Sequence, residues 1–208
     1  MFVGKRMTSP AITTAPGDTI EQAARLLAAH RIHRLPVVEK GALVGIVSDT
    51  DIRNAALRDA RAGIPAGQRT VGEIMTREVI TVSPRDTVED ALLILQKKRL
   101  GALPVVEAGR VVGIITKADV LAALVDTLDI EGIGTRLEIL LARDAKTVAR
   151  FAACVADLGV DLRSLVLAPH GPDRFAAFLR VATIDLTRVR EKLKDAGFPA
   201  AELQDFLG

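Results

Sequence analysis

One stretch of about fifty residues occurs twice in this 208-residue chain, 68 positions apart and without a gap. Val3 to Ile52 aligns with Val71 to Val120, and about 23 of the 50 pairs are identical. The matches include Met7-Thr8 with Met75-Thr76, Ile12-Thr13 with Ile80-Thr81, "LPVVE" at 35 and 103, and Val-Gly-Ile at 44 and 112. Such a duplication restricts the fold to one structural unit built twice and paired about a pseudo-twofold axis. A unit this short buries too little surface to stand alone, so the copies are expected to share a core.

Each copy reads as β-α-β-β-α. A short strand is expected around Ile12 or Ile80, followed by a helix with apolar positions Ile20, Ala23, Ala24, Leu27 or Val88, Ala91, Leu92, Leu95. Asp18 with Glu21, and Asp86 with Glu89, have the spacing of a capping box at these helix starts. "LPVVE", a turn at Lys40-Gly41 or Ala108-Gly109, and "LVGIVS" or "VVGIIT" then form a hairpin signal. The second strand runs into "GIVSDTDI" and "GIITKADV", where Ser48 or Thr116 is followed by Asp51 or Asp119 at the start of a helix. The hydroxyl suits a helix cap. The Asp, shorter than the Glu at the other helix starts, is expected to turn outward toward a ligand.

The expected layout is a first repeat over 1–62, a linker over 63–70 rich in Gly and Pro, a second repeat over 71–128, and a different domain over 132–208. In that last part "TRLEILLAR" reads as a strand, Asp144 as the cap of a helix ending at Gly159, "VDLRSLVLA" and "RFAAFLRVA" as a hairpin, and Asp185 as the cap of a last helix ending at Gly197. "FPAAELQDFL" could be a final strand or helix. The order suggests a small ferredoxin-like α/β sandwich, so the whole chain is expected to be α+β.

Composition narrows the function classes. Lys plus Arg number 28 against 26 Asp plus Glu, without long runs of one sign, so a nucleic-acid partner is not expected. With no Trp or Tyr and six Phe, a base bound here must pack on aliphatic side chains. The single cysteine, Cys154, falls on an apolar helical stripe and is expected to act as a small hydrophobe. No run of 18 apolar residues suggests a membrane span, and a cytoplasmic protein is expected. No constellation of nucleophile, base or metal ligands emerges, so neither catalysis, a metal nor a required cofactor is expected.

The "MT", "VIT" and "LPVV" signatures and the Gly-x-x-Ser/Thr-x-x-Asp motif of both copies resemble a tandem pair of CBS domains, a Bateman module, over about residues 1–126. The third part resembles an ACT-like domain, and the combination is similar to the bacterial acetoin-utilisation accessory proteins. The resemblance implies a sensor of adenosyl ligands such as AMP, ADP, ATP or S-adenosylmethionine, held between the repeats as a regulatory ligand. It implies ribose contacts from Asp51 and Asp119, phosphate contacts from Ser48 and Thr116, and adenine pockets lined near Thr13 and Thr81. A carboxylate matches a vicinal diol and a helix start favours phosphate, which independently supports the first two.

"HRIHRLPVV" resembles the stretch of AMP-activated protein kinase gamma subunits in which His and Arg reach phosphates; here those are His33 and Arg34. The second repeat has Gly101 and Ala102 instead, and Lys117 where the first has Asp49, so one dominant cleft is expected. For His33 and Arg34 the alternative is a solvated loop, and for Thr13 and Thr81 plain β propensity. Amino-acid-binding ACT members carry an acidic residue and Pro-Gly where this chain has Ala145-Lys146, which points to association over ligand binding. A homodimer and a regulated enzyme are the expected partners. The competing reading is a dimerising scaffold that binds no nucleotide.

Overall fold

The computed structural model describes residues 1–63 and 69–202, which divide into two compact units, one ending at Ala123 and one beginning at Leu124. Most of the expected linker and the end of "FPAAELQDFL" lie outside the described residues.

In the first unit a 3-10 turn at Val3–Lys5 precedes α1 (Ile20–His30), β1 (Arg34–Glu39), β2 (Ala42–Ser48) and α2 (Asp49–Ala62). The second repeat supplies α3 (Val71–Ile74), α4 (Val88–Lys97), β3 (Ala102–Glu107), β4 (Arg110–Thr116) and α5 (Lys117–Thr127), with the division between the units falling inside α5. The two hairpins join into one antiparallel sheet of order β1-β2-β4-β3. Leu35 pairs with Val47 as Leu103 pairs with Ile115, and both registers slip at the same place, Val37/Val38 and Val105/Val106. The turns agree too: Lys40 and Gly41 have φ of 51° and 86°, Ala108 and Gly109 of 49° and 78°. Two consecutive positive φ values are what a tight hairpin needs to match the twist of its strands.

Two local expectations are corrected. The first is the strand around Ile12 or Ile80, which is reduced to a single parallel bridge, Thr14 with Val37 and Val82 with Val105. Turns at Pro16 to Asp18 and Pro84 to Asp86 come immediately after and leave no length for a ladder. The second is the cap of α1 and α4, which is Thr19 with Gln22 and Thr87 with Asp90, one residue later than expected. Asp18 instead closes the preceding turn, accepting from Thr14 Oγ1 and Ala15 N at 2.7 Å each, and these bonds hold its carboxyl below the usual range.

The repeats exchange their first segments. Val3 N and Gly4 N donate to Asp86 O and Pro84 O, and Val71 N and Gly72 N donate to Asp18 O and Pro16 O. Val71 and Met75 are therefore buried in the core built on Ile20, Leu27, Leu35 and Val47, and Val3 in the core built on Val88, Leu95, Leu103 and Ile115. Glycine makes the crossing possible: a Cβ on Gly45 would stand 2.5 Å from Met75 Sδ, and one on Gly113 2.6 Å from Met7 Sδ. Thr76 bridges Ile46, and Thr8 bridges Ile114.

Asp59 on α2 is 5% exposed and is held by a forked ion pair with Arg69, whose Nη2 lies 2.6 Å from Oδ1. The Arg69 hydrogen bonds pull the Asp59 carboxyl below its ordinary value. A group depressed in the fold stabilises fully above its unfolded pKa, and the gain is lost as pH falls through the folded one. Arg69→Met should thus lower the urea midpoint at neutral pH, and the gap to wild type should narrow as pH falls below about 4, where the unfolded carboxyl protonates. A gap unchanged over that range would show that the guanidinium acts through packing alone.

The second unit holds β5 (Thr135–Ala142), α6 (Ala145–Asp157), β6 (Asp161–His170), β7 (Arg174–Ala182) and α7 (Leu186–Asp195), in an antiparallel sheet of order β5-β7-β6. Asp144 and Asp185 cap α6 and α7 by accepting from Thr147 N and Arg188 N, and Gly159 and Gly197 lie just past the helix ends with φ of 67° and 84°. Both helices pack on one sheet face, Phe151, Val155, Val189 and Leu193 meeting Leu137, Ile139, Leu141 and Leu179. Past α7, Ala200 bridges Ile139, so the last described residues lie along the free edge of β5. Cys154 sits partly buried against this core; burial first, then the Asp157 charge, pushes its thiol pKa up.

Candidate functional site

Two clefts in the first unit are related by the repeat. The first, of about 210 Å³, is bordered by Ser48, Asp51 and Ile46 of one copy and by Thr76, Ile80 and Arg99 of the other. The second, of about 390 Å³, has the equivalent set: Thr116, Asp119 and Ile114 with Thr8, Ile12 and Arg31. The exchange of first segments brings residues of both copies to each cleft. The larger one falls within the usual size range of small-molecule sites.

In both clefts the acid behaves differently from expectation. Asp51 does not simply turn outward: its Oδ2 accepts from Ser48 N at 2.9 Å and from Ser48 Oγ at 2.6 Å, while Asp51 N donates back to Ser48 Oγ at 3.2 Å. Asp119 does the same with Thr116, at 2.8, 2.7 and 3.2 Å. The short Asp closes a capping box because the donor is the N-cap backbone directly above it. Both bonds that each carboxylate accepts fall on Oδ2, and Oδ1 takes part in no hydrogen bond among the described residues. The cap therefore uses the hydroxyl and one oxygen of each carboxylate, and leaves the other oxygen without a bond among the described residues.

Arg34 borders both clefts. Its guanidinium rests on Gly101, where an added Cβ would lie 2.5 Å from Cζ, Nη1 and Nη2, so the room left by Gly101 is filled by the first repeat's own cation. His33 borders the larger cleft, with its side chain 75% exposed and Nδ1 3.0 Å from Asp49 Oδ2. That hydrogen bond is the main reason the Asp49 carboxyl lies below its ordinary range. Asp49 N donates to His33 O and Lys117 N to Gly101 O, so the backbone link is kept while the side-chain pair exists in one copy only. The larger cleft consequently gathers Arg31, His33, Arg34 and Lys117 around Asp119, whereas the smaller sets Arg34 and Arg99 against Asp51 and Glu78.

Thr13 and Thr81 themselves are exposed and border neither cleft, although the residues next to them do. Successive residues of an extended segment point to opposite sides, and here Ile12 and Ile80 take the cleft side while Thr14 and Val82 are buried. Thr8, Thr76, Arg31 and Arg99 border the clefts without having been anticipated. Each is identical in both copies, and Arg31 and Arg99 share a left-handed φ of 52° and 54° after their helices, a repeated feature that could have marked them. Among the described residues no group of three or more His, Cys, Asp or Glu could hold a metal ion, and no helix is long and apolar enough to cross a membrane.

The sequence profile of the CBS domain matches residues 3–58 and 71–126, more than half of the chain. The chain belongs to the CBS domain family. The CBS domain-containing protein YhcV of Bacillus subtilis is 36% identical over 113 residues, which are 54% of this chain and 78% of YhcV. The chain spans only 21% of some longer curated relatives. Among solved structures, the CBS domain pair of protein MJ0100, in complex with 5'-methylthioadenosine and S-adenosyl-L-methionine, is 33% identical with a TM-score of 0.54; the match covers 60% of this chain and 95% of that one. CBSX2 in complex with AMP is 30% identical, with a TM-score of 0.53 and coverage of 60% and 96%. A Vibrio cholerae protein assigned to acetoin utilization (AcuB) is 29% identical, with a TM-score of 0.56 and coverage of 63% and 95%. The CBS pair thus accounts for the first unit, and these matches extend little beyond it.

Proposed function

We propose that this CBS protein is a regulatory sensor, not an enzyme, that binds an adenosyl ligand of the AMP, ADP or ATP type between its repeats. The observation that carries the reading is the carboxylate of Asp119, which spends one oxygen on its own helix and keeps Oδ1 for a ribose, beside a cleft edged by Arg31, His33, Arg34 and Lys117. The adenine packs on aliphatic residues such as Ile12 and Ile114. The cleft of Thr116 and Asp119 is the dominant site, because phosphate meets more positive charge there than beside Asp51 and Glu78. Adenosyl ligands in the CBS pairs of MJ0100 and CBSX2 support the ligand class.

The second unit is read as an ACT-like domain. Its strand order β5-β7-β6, its two helices on one face and the bridge from Ala200 to β5 fit a ferredoxin-like sandwich with a rudimentary fourth strand. Asp119 lies in the first turn of α5, and α5 leads into the second unit, so a ligand that prefers one position of Asp119 biases the chain beyond α5. The output is to a partner enzyme or to a homodimer in the cytoplasm, and the likeness to AcuB supports acetoin utilisation as the setting.

A thermal-shift panel of AMP, ADP, ATP, S-adenosylmethionine and 5'-methylthioadenosine tests the reading. A ligand at a hundred times its dissociation constant adds about 2.7 kcal/mol of stability, so the melting temperature should rise by several degrees with at least one of them. No shift with any of the five would return the protein to a scaffold that binds no nucleotide.

A further inference from the structure

Arg34 is a half-buried cation with no hydrogen bond or ion pair among the described residues, and it stands at the border of two clefts. The repeat operation carries Arg34 onto Ala102 and His33 onto Gly101, so the second copy brings no cation to the equivalent place. Two pseudo-symmetric clefts are therefore served by one guanidinium. Gly101 is what keeps it central, since any side chain there would push the guanidinium off its seat.

We propose that Arg34 is a shared phosphate ligand that couples the clefts negatively: a phosphate bound in one claims the guanidinium and weakens phosphate binding in the other, while an uncharged nucleoside still enters. This rests on the nucleotide reading given above. A guanidinium binds phosphate through a planar fork of N–H donors, and a fork aligned on one phosphate is misaligned for another on its far side. The second phosphate also meets the charge of the first with its principal cation already neutralised. The larger cleft has Arg31, His33 and Lys117 in reserve and claims Arg34 first. The smaller is left with Arg99 facing Asp51 and Glu78, a surrounding that suits adenosine better than AMP.

Isothermal titration of the full chain with AMP and with adenosine tests the coupling. In the wild type AMP should bind in two steps. The second should be about 5- to 150-fold weaker than AMP binding to the smaller cleft measured in Asp119→Asn, at AMP concentrations that leave its weakened larger cleft empty. Adenosine should bind the AMP-loaded protein as well as it binds the smaller cleft alone. Arg34→Met, which keeps the apolar stem, should bring that ratio close to one, and Gly101→Ala, which keeps the cation but displaces it, should move the ratio the same way. An AMP ratio unchanged in both variants, or adenosine coupled as strongly as AMP, would overturn the shared-ligand proposal while leaving nucleotide binding intact. Failure of both AMP and adenosine to bind the wild type would overturn the nucleotide reading and the coupling with it.

Discussion

Asp119→Asn is expected to weaken AMP binding at the dominant cleft roughly 10- to 150-fold, the equivalent of the 1.5–3 kcal/mol of a charge-assisted hydrogen bond. The expectation rests on the division of labour between the two oxygens. Oδ2 is committed to Thr116 N and Oγ1, and an Asn can still accept there through its amide oxygen. The amide nitrogen then replaces Oδ1, and a donor faces the ribose hydroxyls where an acceptor stood. A second loss must be separated from this one: a carboxylate in the first turn of α5 also favours the helix itself, by about 0.3–1 kcal/mol. The ligand makes the separation. 2'-Deoxy-AMP should bind the wild type more weakly than AMP does, but should bind Asp119→Asn about as well as AMP does, because the missing hydroxyl has no acceptor left to miss. If the variant lost affinity equally for the ribo and deoxy forms while the wild type did not distinguish them, Asp119 would be a cap and nothing more. Asp51→Asn should have a smaller effect on the first AMP bound, since its cleft carries less positive charge.

The reach of the sequence is seen at particular residues. The hairpins, their turns at Lys40-Gly41 and Ala108-Gly109, and the caps Asp144 and Asp185 were legible because each depends on a few neighbouring residues with strong conformational preferences. The caps of α1 and α4 were misplaced by one residue because Asp18-Thr19 and Asp86-Thr87 each offer two good capping side chains in succession. Which one caps is decided by the turn before it, where Asp18 is already engaged by Thr14 and Ala15. At the clefts, Ser48, Asp51, Thr116 and Asp119 could be found from the repeated motif, but the use of a single carboxylate oxygen could not, since that depends on where the N-cap N–H points. Thr13 and Thr81 turn away from the clefts that their neighbours Ile12 and Ile80 border, because the side an extended segment turns inward is set by what packs on it. The seat of Arg34 on Gly101 was beyond the sequence for a related reason: it joins residues of different copies, and local pattern carries no information on that pairing.

The exchange of first segments makes an equally large prediction about stability. Met75 belongs by sequence to the second copy, yet it is 8% exposed within the core of the first, against Gly45 and among the residues around Leu27, Leu35 and Val47. Truncating such a side chain removes its transfer free energy and leaves a cavity, so Met75→Ala should cost about 2–5 kcal/mol. The location of the damage is the distinguishing result. Amide hydrogen exchange should rise in α1, β1 and β2, all encoded well before the mutation, and should rise less in α4, β3 and β4. Met7→Ala should show the mirror pattern, loosening α4, β3 and β4, because Met7 packs on the second core beside Gly113. Because Thr76 adjoins Met75 and borders the smaller cleft, while Thr8 adjoins Met7 and borders the larger, each variant should also loosen the cleft that its own segment completes. Protection lost only within the copy that carries the mutation would mean that each repeat holds its own first segment. The clefts would then have to be drawn from one copy apiece, and a single guanidinium could not serve both.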